Sequence, residues 1–474
     1  MIEHVYATFD EKGEDMTQTR SNAFIDEIPP AHTGGKIYLC IDLKSFYASV
    51  ECADRGLDPF TTNLVVADPA RTRTTICLAI TPAMKALGVR NRCRVFEIPE
   101  GIKYITAVPR MRRYMEVSND IFRIYLQHVS AQDIRPYSID ESFIDATPYL
   151  RLYGLTPRQF ARMLMDEVLD KTGITATAGI GTNLFLAKVA LDVTAKHEHD
   201  CIGYLNEESF RQRIWWHQPI TDIWSIGPGI ARRLHKHGID NLAGVAAANP
   251  DVLKREFGIN ATYLIDHAWG LEPCTIQQVR DYKPEGHSMT NGQVLPCDYT
   301  FHEARMVLRE MVDASVLELV ANGMVCERIF LSVGYAKQKQ APKQQRGALF
   351  DGGHGLRPVN GWGAPRSAAS RKLERRTNSG KLLQERFCQL FDETVSRTMP
   401  VKRLAIGFGD LLPERFATQT LFDDVDAERK ERALQDAVVA VRSKYGRNAM
   451  LKGTSLQDKA TARERNNQVG GHRA

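Results

Sequence analysis

The chain has 474 residues, 43% hydrophobic and 25% charged, a globular balance in a chain too long for one core. Its formal net charge of +5 permits a polyanionic partner without demanding one. Nine cysteines lie scattered without a C-x-x-C pair, and no apolar run reaches the length of a membrane span or a signal-peptide core. These features exclude a disulfide framework, predict no membrane association, and suggest a reduced, cytoplasmic protein.

Residues 1–34 are polar and acid-rich and read as a flexible tail closed by Pro29-Pro30. The stretch KIYLCIDLKSFYASVE, residues 36–51, predicts a buried strand over 37–41 that delivers Asp42, then a turn into a helix carrying Phe46 and Tyr47. Residues 64–68 and 74–80 read as a strand pair around a turn. A helix follows over 82–87, begun by Pro82 and ended by Gly88. Lys85, Arg90, Arg92 and Arg94 form a cationic cluster that suits phosphates, or simply a solvated basic face. Residues 111–128 predict a long amphipathic helix.

PYSIDESFIDAT, residues 136–147, alternates as one strand does, with Asp140 and Glu141 adjacent inside it. Taken alone, a strand-end Asp is a common cap and an Asp-Glu pair a common solvated edge. Together, three carboxylates delivered from two strands make a hard-oxygen site suited to Mg²⁺, with room for two ions that clamp an in-line phosphoryl displacement. A helix over 157–171, a strand over 175–180 and the helix NLFLAKVALDVTAK follow; that spacing puts Lys188 and Lys196 within about one turn of the same face. The order of elements predicts a split βαβ unit on an antiparallel sheet.

From about residue 203 the pattern changes. SIGPGI, residues 225–230, followed by ARRLHKHGI reads as a helix-hairpin-helix, in which Gly227 and Gly229 let backbone N–H groups approach a DNA phosphate. Residues 249–270 read as a degenerate second copy. Residues 281–286 read as a linker. The span 287–412 predicts strand, helix (301–322), strand (326–335), a long basic break (336–379), helix (380–398) and strand (402–408). Beyond Pro413 the chain reads as a tail with an apolar plug at Leu421 and Phe422, a helix over 426–445 and a basic end.

In DLKSFYASVE, ITPAMKALGV, SIDESFID, GIGTNLFLAKVA and SIGPGIARRL, taken in that order and spacing, residues 36–412 resemble a Y-family lesion-bypass DNA polymerase of the UmuC and DNA polymerase IV kind, most of all its Gram-positive UmuC-like branch. The resemblance implies an α+β multidomain, right-hand architecture. It places the palm at 35–54 and 110–202, the fingers at 55–109, the helix-hairpin-helix thumb at 203–280, and an α/β little finger at 287–412. A C-terminal tail over 413–474 follows. It makes Asp42, Asp140 and Glu141 the metal-binding carboxylates, Glu141 the active-site residue, and the Leu43 carbonyl a further ligand. Tyr47 becomes the steric gate beside Phe46, and Lys85 and Lys196 the triphosphate lysines. Gly227, Gly229 and Lys188 fall to DNA, and Leu421 and Phe422 to a sliding clamp. Lys44 stands where many relatives carry a second acid, and Pro82 where a tyrosine often contacts phosphate. The implied activity is template-directed, error-prone DNA synthesis with two Mg²⁺, on primer-template DNA and deoxynucleoside triphosphates. A nucleotide cyclase would not need the hairpin, and an inert DNA-binding or clamp-associated protein would not need all three acids.

Overall fold

The computed structural model describes residues 35–283, 288–336, 365–418 and 424–474. It forms two compact units. One comprises 35–69, 73–108 and 113–282; the other comprises 70–72, 109–112 and the described residues from 283 onward. The expected acidic tail, the core of the linker, most of the basic insertion and the plug at Leu421 and Phe422 lie outside the described residues.

The elements of the first unit begin with β1 (Tyr38–Leu43), α1 (Phe46–Ala53), β2 (Leu64–Val66), β3 (Ala79–Ile80), α2 (Pro82–Ala86), β4 (Ile105–Ala107) and α3 (Met111–Tyr125). They continue with β5 (Ile134–Pro136), β6 (Glu141–Asp145), α4 (Thr147–Tyr153), α5 (Pro157–Thr172), β7 (Ala176–Gly181), α6 (Leu184–Val189) and β8 (Ile202–Leu205). The helical end of the unit is α7 (Glu207–Arg213), α8 (Pro228–His235), α9 (Leu242–Ala247), α10 (Pro250–Phe257), α11 (Asn260–Ala268) and α12 (Ile276–Asp281).

The main sheet has the order β5-β6-β1-β7-β8. Apolar side chains alternate to both faces of β1, so Tyr38, Leu39, Cys40 and Ile41 are all buried and β1 takes the centre. It pairs antiparallel with β6 and β7, while β7 and β8 run parallel. The expected wholly antiparallel sheet is therefore mixed. The split βαβ unit is present: β6 and β7 both oppose β1, hence run parallel to each other, and α5 crosses between them. That helix is bounded by its own sequence, with a Thr156–Gln159 capping box, Pro157 in its first turn and Gly173 at its C-cap with φ +70°.

PYSIDESFIDAT does not form one strand. It turns as a hairpin between β5 and β6, with the Tyr137 and Ser138 amides donating to the Glu141 carbonyl at 2.8 and 3.1 Å. Pro136 cannot donate to a central ladder, and the polar residues after it favour a turn; alternation alone conceals this. The strand expected over 74–80 also shrinks, to Ala79–Ile80, paired with β2.

Gly179, Gly181 and Gly203 sit where the following segment passes close to the sheet. A Cβ on Gly179 would lie 2.1 Å from the Ala187 carbonyl oxygen, one on Gly181 2.2 Å from the Ala187 amide, and one on Gly203 2.6 Å from the Ala190 carbonyl oxygen. The glycines thus let the segment starting at α6 lie directly on the sheet. That segment is not one α-helix: it passes through a π-turn (Ala190–Thr194) into a 3₁₀ turn (Ala195–His197).

The second unit consists of β9 (Met289–Tyr299), α13 (Phe301–Ala321), β10 (Met324–Tyr335), β11 (Arg366–Thr377), α14 (Gly380–Thr394), β12 (Val401–Gly409), β13 (Leu412–Pro413), α15 (Val425–Tyr445), α16 (Ala462–Arg465), and the hairpin of β14 (Gln468–Val469) and β15 (His472–Arg473). Its sheet has the order β11-β10-β12-β9, with every neighbouring pair antiparallel. Leu308, Met311, Phe387 and Phe391 from α13 and α14 meet Ile329, Leu331, Leu404 and Phe408 from the sheet in one core.

Two expectations fail here. The basic break contains β11, an edge strand whose Arg371, Lys372 and Arg376 pair with Glu393 and Glu327. Charge is what an exposed edge requires, and it conceals strand character. The C-terminal end is not a loose tail: buried Glu310 accepts from the Thr461 and Ala462 amides at 2.8 and 3.2 Å, and Tyr299 donates to the Lys459 carbonyl at 3.0 Å.

Candidate active site

Asp42 is the penultimate residue of β1, and its Cα partner on β6 is Glu141 and on β7 Thr177. The Leu43 amide donates to the Asp140 carbonyl at 2.9 Å, which ties the hairpin turn to the strand end. Asp140 sits in that turn, accepting from Ser138 Oγ at 2.6 Å, while Ser118 on α3 donates to the Ile139 carbonyl at 2.6 Å. Asp42, Asp140 and Glu141 therefore meet at one strand end, and a cavity of about 200 Å³ opens beside Asp140 and Glu141 under α3.

The electrostatics reflect crowding of like charge. Burial, then the charges of Asp140 and Glu141, push the Asp42 carboxyl up to about 7, with Lys188 opposing. Hard oxygens that repel one another fit a divalent cation such as Mg²⁺. Among the described residues, however, no three His, Cys, Asp or Glu side chains form a ready ligand shell. Glu141 is itself engaged: its Oε1 is 2.9 Å from Lys188 Nζ and accepts from Cys40 Sγ at 3.0 Å. Its Oε2 accepts from the same ammonium at 3.1 Å.

Lys188, expected to contact DNA, is buried and ion-paired with Glu141 and Asp192. Lys196, by contrast, is exposed. Burial lowers the Lys85 ammonium; Asp42 opposes this, and Lys196 and Lys44 add to it, so these cations and Asp42 share one locality. The side chain of Lys85 as a whole remains exposed.

On α1 the two aromatics diverge. Phe46 is buried, whereas Tyr47 is half-buried and stacks on Tyr114 with ring centroids 4.5 Å apart and planes 14° apart. Burial, then Asp140, raises the Tyr47 hydroxyl, and Arg92 opposes. Tyr114 is held in turn by its hydroxyl, which donates to buried Glu51 at 2.7 Å, and Glu51 is paired with Arg55. Tyr114, Glu51, Ser118 and Cys40 escaped the sequence reading, since each looked like core or helix surface; the i,i+4 pair Glu51–Arg55 was the one available signal.

In the helical end of the unit, Gly227 is the N-cap of α8 and Gly229 lies in its first turn. A Cβ at either position would have open space around it, and both residues are exposed. The presumed second copy is an αα-hairpin of α10 and α11 joined at Gly258, φ +63°.

Comparison with known proteins gives the class first. The fold is similar to that of the Y-family DNA polymerase chimera Dbh-Dpo4(243-245)-Dbh, with a TM-score of 0.56 at 19% identity, covering 79% of this chain and 99% of that one. Residues 41–192 match the model of the impB/mucB/samB family, and residues 286–421 match that of the impB/mucB/samB family C-terminal domain. A Bacillus subtilis (strain 168) protein named DNA polymerase IV 2 is 30% identical over 92% of this chain and 98% of its own length. A protein of the same name from Halalkalibacterium halodurans is 28% identical over 92% and 99%. The chain belongs to the impB/mucB/samB family, the UmuC- and DNA polymerase IV-like Y-family polymerases. Among the described residues no helix is long and apolar enough to cross a membrane.

Proposed function

We propose that this chain is a template-directed DNA polymerase of the translesion type, adding deoxynucleotides to a primer 3′ end, error-prone and without proofreading, in the cytoplasm. The observation that carries the reading is the meeting of Asp42, Asp140 and Glu141 at one strand end with Lys85 and Lys196 close by, in a chain of this family. The palm is 35–54 and 110–202, the fingers 55–109, the thumb 203–280 and the little finger 287–412.

Asp42, Asp140, Glu141 and the Leu43 carbonyl would hold two Mg²⁺ ions. Bound there, Mg²⁺ supplies activation of the attacking hydroxyl and neutralises charge on the leaving pyrophosphate. The protein supplies position and field, which is most of what phosphoryl transfer asks of it. Lys85 and Lys196 draw the triphosphate toward the acids as cations near Asp42. The half-buried Tyr47 ring, fixed on Tyr114, lies under the sugar and leaves no volume for a 2′-hydroxyl. Gly227 and Gly229 offer backbone amides to duplex phosphates without reading sequence. Leu421 and Phe422 dock on a sliding clamp.

Primer extension on paired damaged and undamaged templates tests this reading. It predicts Mg²⁺-dependent extension on both and passage beyond the lesion; absence of templated extension on either rejects it.

A further inference from the structure

Lys188 has no part in the roles assigned above, yet it touches their centre. Its side chain is 9% exposed, as is that of Glu141, and its ammonium contacts both Glu141 oxygens, at 2.9 and 3.1 Å. Asp192, one helical turn further on, takes the same ammonium at 3.0 Å from a side chain that is 31% exposed. The Cys40 thiol donates to Glu141 Oε1 at 3.0 Å. The close seat of α6 on Gly179 and Gly181 delivers the lysine this deep beneath the sheet's catalytic edge. A buried cation of this kind cannot swing to solvent, and a buried carboxylate so engaged has few free lone pairs.

We infer that Lys188 is a built-in competitor of the divalent cation for Glu141. It fixes the carboxylate's position and sets the affinity of the centre for the ion. Cation and ammonium share one carboxylate, so binding of the ion shifts the ammonium's hold from Glu141 toward Asp192, which is placed to keep it neutralised. Lys188 is thus a positioning residue acting through Glu141. The inference rests on the reading of Glu141 as a metal ligand.

Removing a competing like charge a few ångströms away strengthens binding of a cation, by about tenfold or more. Calorimetric titration of the free full-length chain with Mn²⁺ is the test. Lys188→Met should bind Mn²⁺ about tenfold more tightly than wild type, insert nucleotides more slowly because Glu141 is no longer held, and keep wild-type affinity for primer-template. Lys188→Arg, which retains the charge, should stay near wild type in Mn²⁺ affinity. Unchanged or weaker Mn²⁺ binding by Lys188→Met overturns the inference, and so does a loss of primer-template affinity, which would return Lys188 to DNA contact. Should Lys188→Met fail to fold in EDTA, Mn²⁺ must restore the fold, since the ion then neutralises Glu141; failure to restore it also overturns the inference. The titration needs no nucleotide, so a wild type that binds Mn²⁺ but does not extend primers would reject the polymerase reading and leave this one standing.

Discussion

Two neighbouring aromatic residues on α1 sit in different surroundings. Phe46 is buried in the core, whereas Tyr47 is half-buried and stacked on Tyr114. Tyr47→Ala should therefore raise ribonucleotide use relative to deoxyribonucleotide use by roughly 10²-fold, as loss of a clash of ~3 kcal/mol implies. Phe46→Ala should instead lower stability by about 3–5 kcal/mol and leave sugar discrimination alone. Single-nucleotide insertion with matched ribo- and deoxyribonucleotides separates them; a Tyr47→Ala enzyme as selective as wild type places the gate elsewhere. Asp42 provides a pH test at the same scale. Its folded pKa of about 7 lies above the ordinary 3.8, so the folded state holds a proton that the unfolded chain releases. The group's contribution to stability is therefore lost as pH rises from about 4 toward 7. In EDTA, Asp42→Asn should raise Tm more at pH 8 than at pH 5. An equal gain at both would mean that burial and the neighbouring carboxylates do not raise the Asp42 carboxyl.

At the level of elements, the glycines of β7 and those at the start of α8 make opposite predictions. Gly179→Ala forces a Cβ to within 2.1 Å of backbone and should cost ~3 kcal/mol or more in denaturant unfolding, with Glu141 and Lys188 dislodged together. Gly227 and Gly229 have open space, so bulky replacement of both should leave Tm near wild type and weaken duplex binding alike on unrelated sequences. A sequence-selective loss, or none, would count against a backbone grip. The same elements mark what the sequence could reveal. β1 and α1 were legible from their apolar pattern, α5 from its capping box and Pro157, and α13 from its capping box. The hairpin at 137–140 was not, because SIDESFID alternates straight through a turn. β11 was not, because Arg371, Lys372 and Arg376 serve an exposed edge and look like loop. In the site, the acids were legible from their chemistry, while the partners that fix them were not. Cys40, Tyr114 and Lys188 are ordinary core or helix residues until the fold brings them to Glu141, Tyr47 and Asp192.

For the whole molecule, the proposal is that the carboxylate centre in the first unit does the chemistry while affinity for nucleic acid comes from other residues. Catalysis and binding should therefore separate cleanly. Wild type, Asp140→Ala and Glu141→Ala, each mixed with a labelled primer-template, should be followed both for binding and for a single nucleotide insertion with Mg²⁺. The account predicts that either substitution lowers insertion by at least about 10³-fold, the weight of ~4 kcal/mol of transition-state stabilisation, while the Kd for primer-template changes less than about threefold. Insertion near the wild-type rate by either variant would contradict it.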